Sequence, residues 1–274
     1  MGRWVLGILT AAALVVAVSA SAQVVSGRTA FRSVALPTGA TKSLTVSCPA
    51  GYYTVSAGTA TAGRGITQQA ARPVSLRRVA FRLANGGDPQ RVTVTAACRR
   101  VRSPGGGSSH LKLSARRRVT LTIAAGSQRQ ASLKCPSGTV PAASGFDLGR
   151  GDLGLQQQTQ DLHALTFAAF NHGNAVRKVS FYGSCLTVVH RSGSRGAQLQ
   201  VSLATDTVPV TSGSEVVTRV CPRGWLSLAA GYSVPAGLDL NGAAAIGRVG
   251  RWSFTNPAQK PLLAQIQLAC TRLG

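Results

Sequence analysis

Acidic residues are scarce in this chain, and their scarcity narrows the functions that it can carry. Only 7 of the 274 residues are Asp or Glu, against 30 Lys and Arg, which gives a formal net charge of +23. Aromatic residues make up 5% of the chain, and there are 4 histidines. General acid–base catalysis usually relies on paired carboxylates or a poised histidine. We therefore expect a non-enzymatic protein without a cofactor, with a hydrolase as the remote alternative.

The few groups that a hydrolase or a metal site would need do not form a recognisable motif. His163 with Asp161 or Asp152 and a serine would supply the parts of a triad, but no nucleophile-elbow sequence is present to position them. The segment from Asp239 to Gly242 begins like a calcium loop, yet it lacks the regular oxygen ligands of an EF-hand, so a turn is predicted there. Arg150-Gly151-Asp152 matches an adhesion tripeptide, but three-residue matches are common by chance and a Gly-centred turn explains this one without a receptor. We predict no catalytic residue and no metal site.

The N-terminus has the composition of a secretory signal peptide. Arg3 precedes an apolar run over residues 4–18, and a small-residue site follows at Ala20-Ser21-Ala22. The run of 15 residues is shorter than the ~20 that a membrane-spanning helix needs. We expect residues 1–22 to be removed and the remainder to be secreted, either extracellular or associated with the cell envelope. No later segment is long and apolar enough to be a transmembrane helix.

Six cysteines in an exported chain indicate three disulfides, and their spacing selects a pairing. Each is one of a pair separated by 50, 50 or 49 positions, and the first members of successive pairs recur after 87 and 86 positions. A repeat of about 86 residues with one disulfide each is the simplest explanation. The expected bridges are Cys48–Cys98, Cys135–Cys185 and Cys221–Cys270. No Cys-x-x-Cys motif is present to favour metal or redox thiols.

Other positions keep the register of this repeat. Each first cysteine begins a Cys-Pro-x-Gly segment, with a second glycine seven positions after the first: Gly58, Gly145 and Gly231. Pro lacks an amide hydrogen and Gly permits a tight turn, so the segment predicts a strand end followed by a reversal. An aromatic residue followed four positions later by Asn precedes each second cysteine: Phe81 and Asn85, Phe167 and Asn171, Trp252 and Asn256. The turn that follows each Asn predicts a hairpin with the last strand.

Alternation around the cysteines predicts which strand faces are buried. Val92, Val94 and Ala96 share the strand face of Cys98, and the other two repeats behave likewise, so each second cysteine points into a core. The strand before Cys221 is the exception, because Arg219 shares the face of that cysteine. Either a bulge or a solvent-facing edge strand explains the arginine at that position.

These patterns predict an all-β protein of three tandem small antiparallel β-sandwich or barrel domains, each with one internal disulfide. The expected boundaries are 23–102, 111–190 and 197–274, with linkers at 103–110 and 191–196. Domains of this size with few aromatic residues have thin cores. A disulfide that closes a loop of about 50 residues stabilises such a domain by about 4 kcal/mol in the chain-entropy model.

The Cys-Pro-x-Gly segment, the downstream Gly and the aromatic-x-x-x-Asn stretch before the last cysteine resemble a pattern in uncharacterised exported β-repeat proteins of high-GC bacteria. The likeness covers all three repeats. It implies an extracellular β-module of bacterial origin and brings no catalytic residues with it. The present chain departs from that pattern in two ways, since it lacks the second Gly of a Gly-Gly pair and has Phe in place of Trp in two repeats.

Two regions are candidates for binding a partner. Positive charge without any acid runs from position 89 to 146, which favours contact with anionic envelope polymers or nucleic acid. The expected contact residues are Arg99, Arg100, Arg102, Arg116, Arg117 and Arg118. An exposed surface in an arginine-biased chain is the explanation that we favour for this charge, and polyanion binding through these residues is the alternative. The segments 59–80, 146–166 and 232–251 keep their length but not their sequence between repeats, as loops on a common scaffold do, and they are the first candidates for recognising a ligand.

Overall fold

The computed structural model describes residues 24–61, 64–102, 109–149, 152–189 and 198–274. The predicted signal peptide and the second predicted linker lie outside these residues, as does most of the first linker. The described residues form strands and no helix, so none of them forms a helix that could cross a membrane. The prediction of an all-β fold is confirmed. The strands are β1 (Val24–Leu36), β2 (Thr41–Ser47), β3 (Tyr53–Thr61), β4 (Ile66–Ser75), β5 (Arg78–Asn85), β6 (Gln90–Arg102), β7 (His110–Leu113), β8 (Arg117–Ile123), β9 (Gln128–Lys134), β10 (Val140–Asp147), β11 (Leu153–Gln160), β12 (Ala164–Asn171), β13 (Arg177–Val189), β14 (Leu199–Val210), β15 (Gly213–Val220), β16 (Leu226–Ser233), β17 (Asp239–Ile246), β18 (Val249–Asn256) and β19 (Leu262–Leu273).

The same strand order occurs three times along the chain. In the first repeat, β1, β6 and β3 form one antiparallel sheet, while β2, β5 and β4 lie in another. The third repeat places β14, β19 and β16 in one sheet and β15, β18 and β17 in another. The second repeat follows the same plan, except that two short strands, β7 and β8, pair with β13 where the other repeats use one long strand. Each repeat therefore contributes three strands or more to each of two sheets.

The three disulfides join the two sheets of each repeat. The bonds are Cys48–Cys98, Cys135–Cys185 and Cys221–Cys270, as the spacing predicted. Each first cysteine follows a strand of one sheet, and each second cysteine lies within a strand of the other. Cys98 is fully buried, as are Val92, Val94 and Ala96 on the same strand face. The predicted inward direction of the second cysteines is confirmed, and three disulfides indicate an oxidising, extracellular type of environment.

The Cys-Pro-x-Gly segments are tight turns, as predicted. In each, the residue after the glycine donates a backbone hydrogen bond to the proline carbonyl, for example Tyr52 N to Pro49 O at 3.2 Å. The glycines have positive φ angles of 77°, 74° and 82° at Gly51, Gly138 and Gly224, a conformation that residues with a Cβ resist. The strand before each turn and the strand after it belong to different sheets, so the reversal carries the chain across the core.

The predicted hairpin after the aromatic-x-x-x-Asn stretch is wrong. The strand that ends at Asn85 and the strand that follows it lie in different sheets, and the other two repeats are the same. The asparagine side chain holds this crossing together, because it replaces hydrogen bonds that a hairpin would have formed. Asn85 is buried and donates to Leu36 O at 2.9 Å and Asp88 O at 2.8 Å, while its Oδ1 accepts from Gly87 N.

The other two asparagines make the same three contacts. Asn171 donates to Ile123 O and Ala175 O and accepts from Gly173 N. Asn256 donates to Val210 O and Lys260 O and accepts from Ala258 N. In every repeat one of the two carbonyl acceptors belongs to the last residue of β1, β8 or β14, the strands that pair with the last strand of their repeat. The hairpin in each repeat is instead the pair β4–β5, β11–β12 or β17–β18.

The strand before Cys221 is an edge strand. β15 pairs with β18 alone, and its register runs without a shift from Gly213 opposite Asn256 to Val220 opposite Val249. The unbroken register rules out a bulge at this place. Arg219 is exposed and forms an ion pair with Asp206 at 2.6 Å, so a solvent-facing edge explains the arginine.

The repeats are joined to one another by strand contacts that we call seams. At the first seam β4 of the first repeat pairs with β10 of the second, with Ala71 opposite Phe146. At the second seam β11 pairs with β16, with Gln158 opposite Tyr232. At the third seam β17 of the third repeat lies alongside β3 of the first. The three repeats therefore form a closed ring in which each repeat contacts the other two.

The repeated glycine seven positions after the Cys-Pro-x-Gly glycine lies at these seams. A Cβ added at Gly58 would meet the carbonyl oxygen of Ala243, and one at Gly145 would meet that of Ala71. A Cβ at Gly231 would lie 2.8 Å from the carbonyl oxygen of Gln158. Glycine is required at all three places because backbone approaches backbone there.

Two clusters of buried residues run across the repeats, one with members from all three and one from the first and second. The division into separate domains stays a prediction.

Candidate functional site

The three variable segments meet at one cavity. A cavity of about 440 Å³ is lined by residues from 57–68 of the first repeat, 146–172 of the second and 230–243 of the third. The three stretches include the first residues of β4, β11 and β17, respectively. These strands form the first, second and third seams. The volume is in the range of small-molecule sites, ~300–1,000 Å³. We call this the central cavity, because all three repeats contribute to its wall.

The closure of the ring brings the variable segments together. Each variable segment begins directly after a seam glycine. It leads from the strand that forms one seam of its repeat to the strand that forms the other seam. The short backbone approach at Gly58 and Gly231 draws the segments towards one another. The sequence predicted that these segments are loops, which is wrong in part, because the strands β4, β11 and β17 run through them. The ring places parts of all three segments at a single wall.

Amide, carboxylate and hydroxyl groups supply the polar part of the wall. Gln158 is buried and donates to Ser144 Oγ at 3.0 Å, and Asn241 donates to Thr255 Oγ1 at 2.8 Å. Thr59 Oγ1 donates to the Gln68 side-chain oxygen. These bonds fix the side chains that border the cavity. Burial raises the pKa of Tyr232 far above its ordinary value, so its phenol stays neutral as a hydrogen-bond donor or acceptor.

The charge of this wall differs from the charge of the chain. Asp152 and Asp239 are two of the 7 acidic residues, and both lie in the wall and are exposed. No Lys or Arg is present among the described lining residues, although the chain has 30. Arg150, two positions before Asp152, lies outside the described residues. The described wall suits a neutral or amine-bearing polar ligand better than an anion.

Asp152, one of the two candidate acids of the hypothetical triad, lies far from His163, whereas Asp161 contacts the backbone of His163. Asp152 and Asp161 lie at opposite ends of the eight-residue strand β11, roughly 30 Å apart at strand spacing. Asp161 accepts hydrogen bonds from the backbone N–H groups of His163 and Ala164, at 2.6 and 2.7 Å, and so closes its own turn. Asp147, the third acid of this region, pairs with Arg82 across the first seam at 3.0 Å. His172 lies in the wall of the central cavity, and its ring contacts Phe170.

The segment from Asp239 to Gly242 is a strand, so the predicted turn is wrong. Asp239 begins β17 and pairs with Thr255, and Gly242 pairs with Ser253 after a shift in register. Gly242 lies at the third seam, where an added Cβ would lie 2.5 Å from Thr59 O. Pairing with β18 on one side and contact with β3 on the other override the turn propensity of these residues. Of the adhesion tripeptide, Arg150 and Gly151 lie outside the described residues.

Arg99, one of the predicted polyanion contacts, is fully buried inside the ring. Its guanidinium donates to Cys98 O at 3.0 Å, to Gly247 O at 3.2 Å and to the backbone and side chain of Ser227. Burial lowers its pKa to about 10. Among the described residues the guanidinium has no carboxylate partner, and it is held by oxygen atoms of the first and third repeats. It is used for the contact between repeats and is closed to a polymer in solution.

Arg100 is half-buried and lies beside an aromatic ring. Its guanidinium is 4.5 Å from the centroid of the Tyr52 ring, and Arg28 is 5.7 Å from the same ring. A hydrogen bond with Ser26 and the two neighbouring guanidinium groups lower the pKa of Tyr52, against the opposing effect of burial. The third repeat has the same arrangement, with Arg272 at 4.7 Å from the ring of Trp225. These stacks cover the Cys-Pro-x-Gly turns.

Arg116, Arg117 and Arg118 are exposed at the start of β8. Arg116 donates to Pro73 O of the first repeat and lies 5.2 Å from the Tyr182 ring. Arg118 donates to Ser180 Oγ at 3.0 Å, and Arg117 donates to Lys134 O at 2.6 Å. Arg102 ends β6. The structure therefore exposes the run from Arg116 to Arg118, leaves Arg100 half-buried and buries Arg99 completely.

Sequence reasoning did not single out the individual residues of the central cavity. Gln158 and His172 have no counterpart of the same residue type in the other repeats, whereas Gln156 lies at a bulge where the first repeat has Gln69. Which strand face lines the cavity depends on the seams. The recurrent seam glycines were the available signal, because an invariant spacing of glycine within one chain indicates a close approach of backbones.

No protein-family model matches this chain, and no curated protein has a sequence that matches.

Proposed function

We propose that the chain is a secreted, non-enzymatic binding protein of the extracellular space or cell envelope, and that its ligand site is the central cavity. Each repeat is a small β-sandwich domain, and the three domains associate into the ring. The ligand is a polar small molecule or the end of a polar polymer. It is neutral or carries an amine, because the described wall supplies carboxylates, amides and a histidine and no described Lys or Arg.

The convergence of the three variable segments is the observation that carries this proposal. A scaffold element keeps its sequence pattern in every repeat, as the cysteines, the seam glycines and the buried asparagines do. The variable segments keep length alone, and yet parts of all three line one cavity. A cavity built from segments that differ in sequence presents a different group on each side, as recognition of an asymmetric ligand requires.

A variant that blocks the cavity tests the proposal. Ala236 is exposed in the wall of the central cavity, so Ala236→Trp fills space there without disturbing a buried contact. Ser137, exposed in the Cys-Pro-x-Gly turn of the second repeat, gives the matched control Ser137→Trp. The measurement is binding of the purified chain to an array of glycans and amine-bearing small molecules.

We expect ligands of the unaltered chain to be lost with Ala236→Trp and retained with Ser137→Trp. Retention by both variants would show that binding takes place elsewhere on the surface. An array without any ligand for the unaltered chain would also count against the central cavity as a recognition site.

Binding of polyanions is a second candidate function, favoured by the excess of unpaired positive charge. Two ion pairs join cations to acids among the described residues, Arg82–Asp147 and Arg219–Asp206. Arg116, Arg117 and Arg118 are consecutive and exposed, and Lys134 lies beside Arg117. Such a cluster attracts phosphate or carboxylate polymers, because each neutralised group releases a counterion.

The test replaces the half-buried Arg100 and the exposed run from Arg116 to Arg118, and it leaves Arg99 in place. Serine at positions 100, 116, 117 and 118 should lower the log–log salt slope of binding to duplex DNA by up to about 4, since each contact contributes about 0.9. A control with serine at four exposed arginines elsewhere, at positions 32, 91, 129 and 223, carries the same change in net charge. Equal losses in the two variants would indicate diffuse charge and refute a discrete site.

A further inference from the structure

A second cavity lies at the other end of β4 from the central cavity. It has a volume of about 390 Å³ and shares no lining residue with the central cavity. Its wall is formed at the first seam, by the turn between β4 and β5 of the first repeat and by strands of the second repeat. We call it the seam cavity. The apolar part of its wall includes Val74, Leu76 and Leu113.

The corresponding space at the third seam is filled by Arg99. Arg99 directly follows the second cysteine of the first repeat, and its guanidinium reaches Gly247 in the turn between β17 and β18. It also contacts Ser227, which lies six positions after the first cysteine of the third repeat. The equivalent residue of the first repeat is Thr54, which lines the seam cavity. A Cβ on Gly27, the strand partner of Arg99, would lie 3.0 Å from its Nη1 atom. The guanidinium of Arg99 therefore occupies this place at the third seam.

At the first seam, shorter side chains leave this space open. Leu186 takes the position of Arg99 in the second repeat and pairs with Leu113. Ala142 takes the position of Val55 and Leu228, both of which are fully buried. The bulge beside it contains Ala143, the one described non-glycine residue with a positive φ, at 50°. Strained backbone of this kind is costly and tends to occur where a ligand or a switch requires it.

The seam cavity combines an apolar wall with one cation. Arg116 lies in the wall and uses one of its five N–H donors for Pro73 O. The hydroxyl groups of Thr54, Ser75 and Ser184 complete the polar part. Val74 and Leu76, both in this wall, are 38% and 46% exposed and so present apolar surface there.

We propose that the seam cavity binds an amphipathic carboxylate, with its alkyl chain against Val74, Leu76 and Leu113 and its carboxylate on Arg116. A guanidinium and a carboxylate form a charge-assisted, geometrically matched pair. The alkyl chain covers the exposed aliphatic side chains. The ligand class follows from charge complementarity, since the described wall contains one guanidinium and no acid. This site is separate from the central cavity, so either proposal stands or fails without the other.

Titration calorimetry of the disulfide-bonded chain with dodecanoate, kept below its micellar concentration, tests this inference. Dodecyl maltoside and dodecyltrimethylammonium present the same alkyl chain with a neutral and a cationic head group. We expect dodecanoate to bind at least tenfold more tightly than either. Arg116→Gln and Leu76→Asp should each weaken dodecanoate binding by at least tenfold. Both positions are exposed, so both variants are expected to fold.

Arg117→Gln is the matched control, because Arg117 is the exposed neighbour of Arg116 and is absent from the wall of the seam cavity. Its dodecanoate affinity should stay within twofold of that of the unaltered chain. The inference is overturned if dodecanoate does not bind, or if dodecyl maltoside binds equally well. It is also overturned if Arg116→Gln costs less than tenfold or no more than Arg117→Gln does.

Discussion

Replacing a seam glycine by alanine should open the ring. Gly58 is the strongest case, because its added methyl group would meet the Ala243 carbonyl oxygen and lie 2.9 Å from the Ala243 carbonyl carbon. The obstacle is backbone, so no side chain can rotate away to relieve the overlap. The two strands must separate instead, which weakens the contact between the first and third repeats.

The magnitude follows from the closeness of each approach. Overpacking of a well-packed interior costs about 1–3 kcal/mol, and backbone-to-backbone overlap belongs at the upper end, so we expect about 3 kcal/mol for Gly58→Ala. Gly145→Ala should cost nearly as much, because Pro73 Cδ lies 2.5 Å from the added atom as well. Gly231→Ala should cost least, with its nearest atom at 2.8 Å. A loss of 3 kcal/mol corresponds to a Tm lower by about 6–12 °C in a chain of this size.

Thermal and denaturant unfolding of the three variants, with Gly86→Ala as control, provides the assay. Gly86 has an ordinary φ, and the nearest atom to an added Cβ is 3.9 Å away, so its replacement should leave the Tm unchanged or slightly higher. The reasoning would be refuted if Gly58→Ala were as stable as Gly86→Ala. A reversed order, with Gly231→Ala the least stable, would also contradict it.

Two further predictions concern the stability contributed by single side chains, and a third concerns hydrolytic activity. Asn171→Ala removes two buried hydrogen bonds to carbonyl groups and one from an amide, and should lower the free energy of unfolding by about 2–3 kcal/mol, measured by urea denaturation. Arg99→Ala should lower it by about 3 kcal/mol by leaving a cavity and unpaired carbonyl groups, whereas Arg117→Ala should change it by less than about 0.5 kcal/mol. No hydrolysis of ester, peptide or glycoside substrates is expected; turnover that disappears in His163→Ala would reverse that view.

The sequence was sufficient to predict whatever depends on contacts within one repeat. The pairing of Cys48 with Cys98 and of its two counterparts followed from spacing, and the structure confirms it. The turn at Gly51 followed from the properties of Pro and Gly. Alternation along β6 gave the correct buried face, because a strand alternates its side chains wherever it is placed.

The contacts between repeats were beyond the reach of these patterns. A seam such as β4 with β10 joins strands far apart in the chain, and nothing in either strand specifies its partner. Gly58 was visible as a recurrent residue, but its reason, the approach of Ala243, lies in another repeat. Arg99 belonged to an arginine-rich stretch and resembled its exposed neighbours, although the third repeat buries it.

The hairpin error has a similar origin. A turn between two strands predicts that they pair when both lie in one sheet, and local sequence does not report which sheet a strand joins. Asn85 marked the turn correctly. Its bond to Leu36, at the end of the first strand, shows that the turn crosses from one sheet to the other.

Small-angle X-ray scattering of the chain without residues 1–22 tests the closed ring most directly. A compact particle of this length has a radius of gyration of about 18 Å, whereas three compact domains of about 12 Å strung along a line give about 25 Å or more. The ring predicts the smaller value at concentrations where the protein is monomeric. The larger value would contradict it, because the variable segments would then lie too far apart to form the central cavity.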